Sequence, residues 1–166
     1  IVIVGGGNVG LFLAQALEED HPNVSPKMIE MSKERAQDVA EQLDRTVVLH
    51  GDALDREILE EANVQSADTV VAVANDDEVN ILASLLAKRA GCRRAITLIN
   101  NATYGPLITS LGIDVVVNPR AITVSRILEH VRRGRIRSVH SLPDGLAEVI
   151  EAEALETSPL VGVPLK

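Results

Sequence analysis

The chain has almost no aromatic side chains, with one Phe, one Tyr and no Trp among 166 residues. Proteins that bind single-stranded nucleic acid stack bases on aromatic faces, so this class of function is disfavoured. The net charge of -8 also argues against a general binder of nucleic-acid backbones. A hydrophobic core must instead be built from Val, Ile, Leu and Ala, as is usual in parallel sheets covered by helices.

Cysteine is nearly absent as well. The single Cys92 excludes an intrachain disulfide and a cysteine-rich metal site, and it suits a reducing cytoplasm. No apolar run approaches the roughly 20 residues that cross a bilayer, and no signal peptide is visible, so we expect a cytoplasmic location without direct membrane insertion. The chain starts inside its first predicted strand, and we expect both ends to continue in a longer polypeptide.

Catalytic motifs are also missing. The sequence contains no GxSxG elbow and no phosphate loop that ends in Gly-Lys-Ser/Thr, and Ile108 stands four residues after Tyr104, where some dehydrogenases place a lysine. The four histidines show neither HExxH spacing nor a cysteine partner. The sequence therefore predicts a ligand-binding domain and no enzyme.

What the chain does contain is a regular alternation of apolar runs and helical patterns. The predicted strands are Ile1 to Val4, Lys27 to Met31, Thr46 to Leu49, Thr69 to Ala74, Ala95 to Ile99 and Asp114 to Val117. The predicted helices are Val9 to Glu18, Lys33 to Leu43, Arg56 to Ala62, Glu78 to Ala90 and Tyr104 to Leu111. This pattern predicts an α/β fold with a Rossmann-like, doubly wound, six-stranded parallel sheet.

A glycine-rich turn follows the first predicted strand. It reads Gly5-Gly6-Gly7-Asn8-Val9-Gly10, and Glu30 comes twenty positions later at the end of the second strand. In dinucleotide-binding βαβ units the first glycine forms the tight turn, the second admits a pyrophosphate and the third lets the helix pack on the strand. The phosphate then meets free N–H groups at the start of that helix.

Other predicted site residues follow from the topology, because the carboxyl ends of parallel strands meet at one edge of the sheet. Besides the glycine turn they are Glu30, Met31, Asp52, Ala74, Asn75 and Asp76. We expect Glu30 to accept hydrogen bonds from ribose hydroxyls and to repel a 2′-phosphate, which favours NAD, NADH, ATP or ADP over NADP. Asp52 either reaches the adenine amino group or caps the next helix.

The acidic run Asn75-Asp76-Asp77-Glu78 has two interpretations. Oxygen ligands in positions 76–78 could hold a hard cation, as in a metal-sensing module. Helix capping together with nucleotide contact is the simpler interpretation, because acidic residues in a first turn complement the helix dipole.

A basic helix follows the six predicted strands. Six arginines and one glutamate lie between Asn118 and His140. The helix from Ala121 to Arg133 carries an apolar stripe at Val124, Ile127, Leu128 and Val131. This stripe either covers the edge of its own sheet or pairs with another subunit. We predict a linker over 134–145 and a further module over 146–166, which opens with a strand from Glu148 to Leu155.

The residues resemble the RCK/KTN (TrkA-N) domain family, and most closely the second nucleotide-binding half of its potassium-uptake regulatory subunits. The resemblance is carried by Ile3 to Gly10, Val48 to Ala53, Val71 to Glu78 with Asn80, Leu86 to Arg89 and Pro119 to Thr123. Positions 158–162 are similar to the start of the small C-terminal (TrkA-C-like) domain of that family.

The resemblance implies a cytosolic, non-enzymatic subunit that gates a membrane potassium transporter subunit (TrkH-like) from the inner face of the membrane. It implies a nucleotide-binding domain over 1–133 with a crossover helix, 120–133, which packs against a neighbouring subunit in a homo-oligomer, and a truncated C-terminal module. It also implies that Ala53 contacts the adenine region of the nucleotide together with Asp52. Leu98 and Asn100 depart from the family, since other members often place Arg on the fifth strand toward a phosphate. The alternative is the Rossmann domain of an NAD-dependent oxidoreductase whose catalytic domain is missing.

Overall fold

The computed structural model describes residues 1–131, 136–141, 148–154, 156 and 161–162. The chain divides into two compact units, Ile1–Asn118 and Pro119–Lys166.

The first unit is built on a six-stranded sheet in which every pair of neighbouring strands is parallel. Its strands are β1 (Val2–Val4), β2 (Lys27–Glu30), β3 (Val47–His50), β4 (Thr69–Ala72), β5 (Arg94–Leu98) and β6 (Val115–Val117). The strand order is β3-β2-β1-β4-β5-β6. Successive strands are added on one side of β1 as far as β3 and on its other side from β4 onward, so the order reverses between β1 and β4. This confirms the predicted doubly wound fold, and the reversal is where such sheets form a binding crevice.

Five helices connect these strands: α1 (Asn8–Asp20), α2 (Lys33–Ala40), α3 (Arg56–Glu61), α4 (Asp77–Ala90) and α5 (Gly105–Ser110). Two 3₁₀ turns, Val64–Ser66 and Ala102–Tyr104, had not been predicted. Helix α2 ends three residues earlier than its predicted end at Leu43, whose side chain is buried in the core.

The core lies on both faces of this sheet. Along β1, Val2 and Val4 pack into one cluster with Ile29 and Val70, and Ile3 packs into the opposite cluster with Met28. Side chains alternate between the two faces of a strand, and here both faces are covered, so the strands are continuously apolar. The aliphatic residues predicted to replace aromatics therefore fill both layers.

The second unit contains α6 (Pro119–Val131) and an antiparallel hairpin of β7 (Ile136–Ser141) and β8 (Glu148–Ala152). Strand β7 lies inside the range 134–145 that the sequence predicted as a linker, so that prediction is corrected for 136–141. The surrounding arginines and Gly134 obscured the alternation of apolar and polar residues in this strand. Leu155 and residues 158–160, which were predicted to belong to the C-terminal module, lie outside the described residues.

In the part of the chain that the structure describes, no helix combines the length and the apolar character that crossing a membrane requires.

Candidate functional site

A cleft of about 480 Å³ opens at the carboxyl edge of β1, β2, β3 and β4. Nine of the predicted site residues line it: Gly5, Gly7, Glu30, Met31, Asp52, Ala53, Ala74, Asn75 and Asp76. The other four, Gly6, Asn8, Val9 and Gly10, belong to the same glycine turn and the first turn of α1 but do not line the cleft. The fold thus brings together residues from four separate strand ends.

The three glycines of the motif are required for different reasons. Gly5 has a φ of +102°, and a Cβ there would lie 2.8 Å from the backbone nitrogen of Ala74. A Cβ on Gly10 would lie 1.9 Å from the carbonyl oxygen of Gly5. A Cβ on Gly7 would meet nothing within 4 Å. The fold itself therefore requires glycine at positions 5 and 10, whereas position 7 is free of packing constraints and faces the cleft.

Helix α1 begins at the glycine turn, and no side chain caps the backbone N–H groups of its first turn. Gly7 is the N-cap residue, it provides no side-chain hydrogen bond, and the first turn holds no acidic residue. In contrast, α2, α3 and α4 are capped by Ser32, Asp55 and Asp76. Uncapped N–H groups at the positive end of a helix dipole form a suitable site for an anion such as a phosphate.

Glu30 is held in place by backbone donors. Its Oε2 accepts a 2.6 Å hydrogen bond from the Gly6 N–H, and its Oε1 accepts a 2.8 Å bond from the Ser32 N–H. A carboxylate can accept about four hydrogen bonds, so both oxygens can still accept from ribose hydroxyls. The carboxylate is thus fixed at the end of β2, beside the glycine turn.

Arg35 is a cleft residue that the sequence reasoning missed. It lies in the first turn of α2, lines the cleft, and donates from Nε to the carbonyl oxygen of Gly6 at 2.7 Å. Among the described residues that line the cleft, Arg35 carries the positive charge, and three others carry carboxylates. The sequence held no signal that singles it out, because Lys33 in the same helical turn is also basic and does not line the cleft.

Asp52 does not cap α3. Its Oδ1 accepts a 2.8 Å hydrogen bond from the Leu54 N–H in a local turn, whereas Asp55 caps the helix through the Glu57 N–H at 2.9 Å. Asp52 lines the cleft at the end of β3, as its adenine-directed interpretation requires.

The acidic run after β4 mainly stabilises the fold. Asp76 caps α4 by accepting a 2.9 Å hydrogen bond from the Val79 N–H. Asp77 accepts from the backbone N–H groups of Asn100 and Asn101 at 2.8 to 3.0 Å. Glu78 accepts a 2.5 Å hydrogen bond from the Tyr104 hydroxyl, which raises the pKa of that hydroxyl above its usual value of 10.0. Only Asp76 of these three acids borders the cleft.

No group of three or more His, Cys, Asp or Glu residues within the described ranges is arranged to hold a metal ion.

Asn80 fixes the turn that carries Ala74. It is fully buried, its Oδ1 accepts from the Ala74 N–H at 2.8 Å, and its Nδ2 donates to the carbonyls of Ala74 and Leu98 at 2.8 and 3.0 Å. Leu98 packs in the core and Asn100 bonds to Asp77, so neither residue lines the cleft. Strand β5 therefore supplies no positive charge to the cleft.

Comparison with known proteins identifies the family. The sequence pattern of the TrkA-N domain family matches residues 1–119. The Trk system potassium uptake protein TrkA of Azorhizobium caulinodans is 59% identical over 166 residues, which is 100% of this chain and 36% of that protein. The TrkA protein of Halomonas elongata is 48% identical over 98% of this chain and 35% of its own length. The chain thus spans little more than a third of the curated relatives that it matches.

Solved structures share the fold. The TrkA-N domain of the inner membrane protein ybaL from Escherichia coli aligns with a TM-score of 0.70 and 22% identity, over 79% of this chain and 95% of that chain. The GsuK channel bound to NAD gives 0.67 and 20% identity, over 85% of this chain and 25% of that chain. GsuK bound to ADP gives 0.64 and 23% identity, over 79% and 34%.

Proposed function

The chain belongs to the TrkA-N domain family, and on that basis we propose that it is a regulatory domain of potassium transport that binds NAD, NADH, ATP or ADP without consuming it. The observation that carries this proposal is Gly7. Glycine at this position has no role in the packing of the chain, since a Cβ would meet no atom within 4 Å. A requirement for close approach by a ligand explains it, because phosphates lie against the backbone of this turn in dinucleotide-binding folds.

The rest of the cleft suits an adenine nucleotide. The uncapped start of α1 matches a phosphate, the fixed carboxylate of Glu30 matches a ribose, and Asp52 with Ala53 borders the region expected to hold adenine. The charge of Glu30 disfavours a 2′-phosphate and hence NADP. Two solved structures with the same fold, both of GsuK, are bound to NAD and to ADP, which supports this class of ligand.

The same proposal includes assembly through α6. Val124 and Ile127, which belong to the predicted apolar stripe of this helix, are 55% and 56% exposed, which is unusual for large aliphatic side chains that lie on one helix face. We infer that the helix over 121–133 packs against a second copy of the chain. Arg132 and Arg133 of its predicted basic end lie outside the described residues.

The proposed partner is a membrane potassium transporter subunit (TrkH-like), with the domain in the cytoplasm at the inner face of the membrane. That the chain is the second nucleotide-binding half of a regulatory subunit stays a prediction.

A ligand can shift such an assembly only if it binds two conformations with different affinity. A tenfold difference supplies about 1.4 kcal/mol per site, and several sites in one oligomer add their contributions.

Calorimetry with NADH, NAD, ATP and ADP tests the proposal. We expect saturable binding of at least one of them, and NADH that is bound but remains unoxidised when 2-keto acids or amino-acid precursors are added. Turnover of NADH would instead support the alternative of an NAD-dependent oxidoreductase domain, which rests on the same glycine turn and Glu30. Absence of binding by all four nucleotides would refute both functions.

A further inference from the structure

The charge of the cleft poses a problem for an anionic ligand. Three carboxylates line it, on Glu30, Asp52 and Asp76, and Arg35 is the cation that lines it within the described residues. Phosphate groups would be repelled by this excess of negative charge unless positive groups lie closer to them than the carboxylates do. The start of α1 provides partial positive charge, and β5 supplies none.

Arg35 is held against the glycine turn. Its Nε donates to the Gly6 carbonyl at 2.7 Å, and the Gly6 N–H in turn donates to Glu30 at 2.6 Å. A guanidinium has five N–H donors in a planar fork, so four remain after this bond. The turn that would hold a phosphate and the cation that could bind it are therefore directly connected.

No carboxylate neutralises this cation within the part of the chain that the structure describes. Arg35 is half-buried, and it forms no ion pair with any carboxylate of the described residues. Its place in the first turn of α2 is unfavourable with respect to the helix dipole. A half-buried and unpaired charge in an unfavourable position is expected to have a ligand as its partner.

We propose that Arg35 binds a phosphate of the nucleotide through its Nη groups and thereby discriminates nucleotides from nucleosides. This inference rests on the proposed function and adds a residue to it. Arg35 then supplies positive charge for the phosphate, since β5 contributes no residue to the cleft, and Glu30 binds the ribose.

The test compares AMP with adenosine by calorimetry, since the two differ by one phosphate. The variants are Arg35→Gln, Arg35→Lys and the matched control Lys33→Gln, which removes a positive charge from the same helical turn but does not line the cleft. In Arg35→Gln we expect the affinity for AMP to fall about 10- to 100-fold, as for a lost charged hydrogen bond, and the affinity for adenosine to stay within about twofold. Arg35→Lys should retain part of the AMP affinity, and Lys33→Gln should change neither affinity by more than about twofold.

Equal losses for AMP and adenosine in Arg35→Gln would overturn the proposal, because a residue that only shapes the turn or stacks on adenine affects both ligands. Unchanged binding of AMP would overturn it as well. If Arg35→Gln does not fold, Arg35→Met, which keeps an apolar stem without a charge, decides by the same criterion: a selective loss for AMP supports the proposal, and a common loss or none refutes it. Wild-type protein that binds neither compound nor any of the four nucleotides would refute the proposed function itself, and this inference with it.

Discussion

Alanine at Gly7 should separate ligand binding from folding. Gly7 has φ and ψ angles of -65° and -172°, which alanine adopts without strain, and beyond its immediate chain neighbours no atom lies within 4 Å of the position of a new Cβ. The lower entropy of the unfolded chain would stabilise the variant by about 0.4–1 kcal/mol. Alanine is a poorer N-cap residue than glycine by an amount of the same order. The two effects nearly cancel, so we expect a melting temperature within about 4 °C of wild type.

Nucleotide binding should respond differently. A methyl group at position 7 would occupy the place where a phosphate meets the backbone N–H groups of α1, and charged hydrogen bonds of this kind contribute about 1.5–3 kcal/mol each. We therefore expect Gly7→Ala to reduce the affinity for the best-bound nucleotide at least about tenfold. Calorimetry measures the affinity, and thermal unfolding without ligand measures the stability.

Gly10→Ala is the matched control. Its Cβ would lie 1.9 Å from the Gly5 carbonyl oxygen, so the backbone must shift, and overpacking of this kind costs about 1–3 kcal/mol. We expect this variant to lose several degrees of melting temperature. Wild-type affinity in Gly7→Ala would refute the interpretation of Gly7 as a ligand-directed glycine. A loss of stability equal to that of Gly10→Ala would show that the fold requires both glycines.

Three further substitutions test other parts of the structure. The Glu18 carboxylate is partly desolvated, which alone would raise its pKa, but hydrogen bonds from the Thr46 hydroxyl and three backbone N–H groups lower the pKa from 4.5 to about 2. Because the pKa is lower in the folded state, Glu18 stabilises the fold above about pH 4.5 and loses this effect as the pH falls toward 2; Glu18→Gln should weaken this acid dependence of the melting temperature. Asn80→Ala should lower the free energy of unfolding in urea by about 3 kcal/mol or more, since it leaves both backbone groups of Ala74 without their buried partner. Ile127→Asp should shift the protein to a smaller oligomer in light scattering and leave nucleotide affinity unchanged.

Each of these substitutions has a defined control. Glu19→Gln changes an exposed neighbour of Glu18, and the same acid dependence in both variants would contradict the role of Glu18. Asn23→Ala removes the same side chain at an exposed position, so it should change the free energy of unfolding by less than about 0.5 kcal/mol, and a loss as large as that of Asn80→Ala would contradict the role of the buried contacts. For α6, Ile122→Asp makes the same change at an exposed position on the opposite side of the helix, and equal dissociation by both variants would count against packing through Ile127.

The sequence predicted the six-stranded sheet well, because its strands are continuously apolar and are separated by short helical segments with clear caps. It also predicted the cleft, since a parallel topology puts all strand ends at one edge. It missed Arg35, whose role depends on a contact with Gly6, 29 positions away in the chain. It missed β7, because arginines within and before this strand obscure its alternation of apolar and polar residues, whereas the partner strand β8 was predicted.

The acidic run after β4 shows why family recognition and site prediction are different problems. The run is among the segments that carry the resemblance, yet Asp77 and Asn80 bond to backbone groups of β5 and of the turn that follows it, and Asp76 caps α4. Because these contacts stabilise the fold, they require particular residue types at these positions. The motif therefore identifies the family whether or not a ligand is bound. Evidence for a ligand comes instead from positions where the fold imposes no such constraint. Gly7 has no atom near its missing side chain, and Arg35 carries a charge without a carboxylate partner among the described residues. Those two positions, and not the longer motif, are therefore where substitutions should change affinity more than stability.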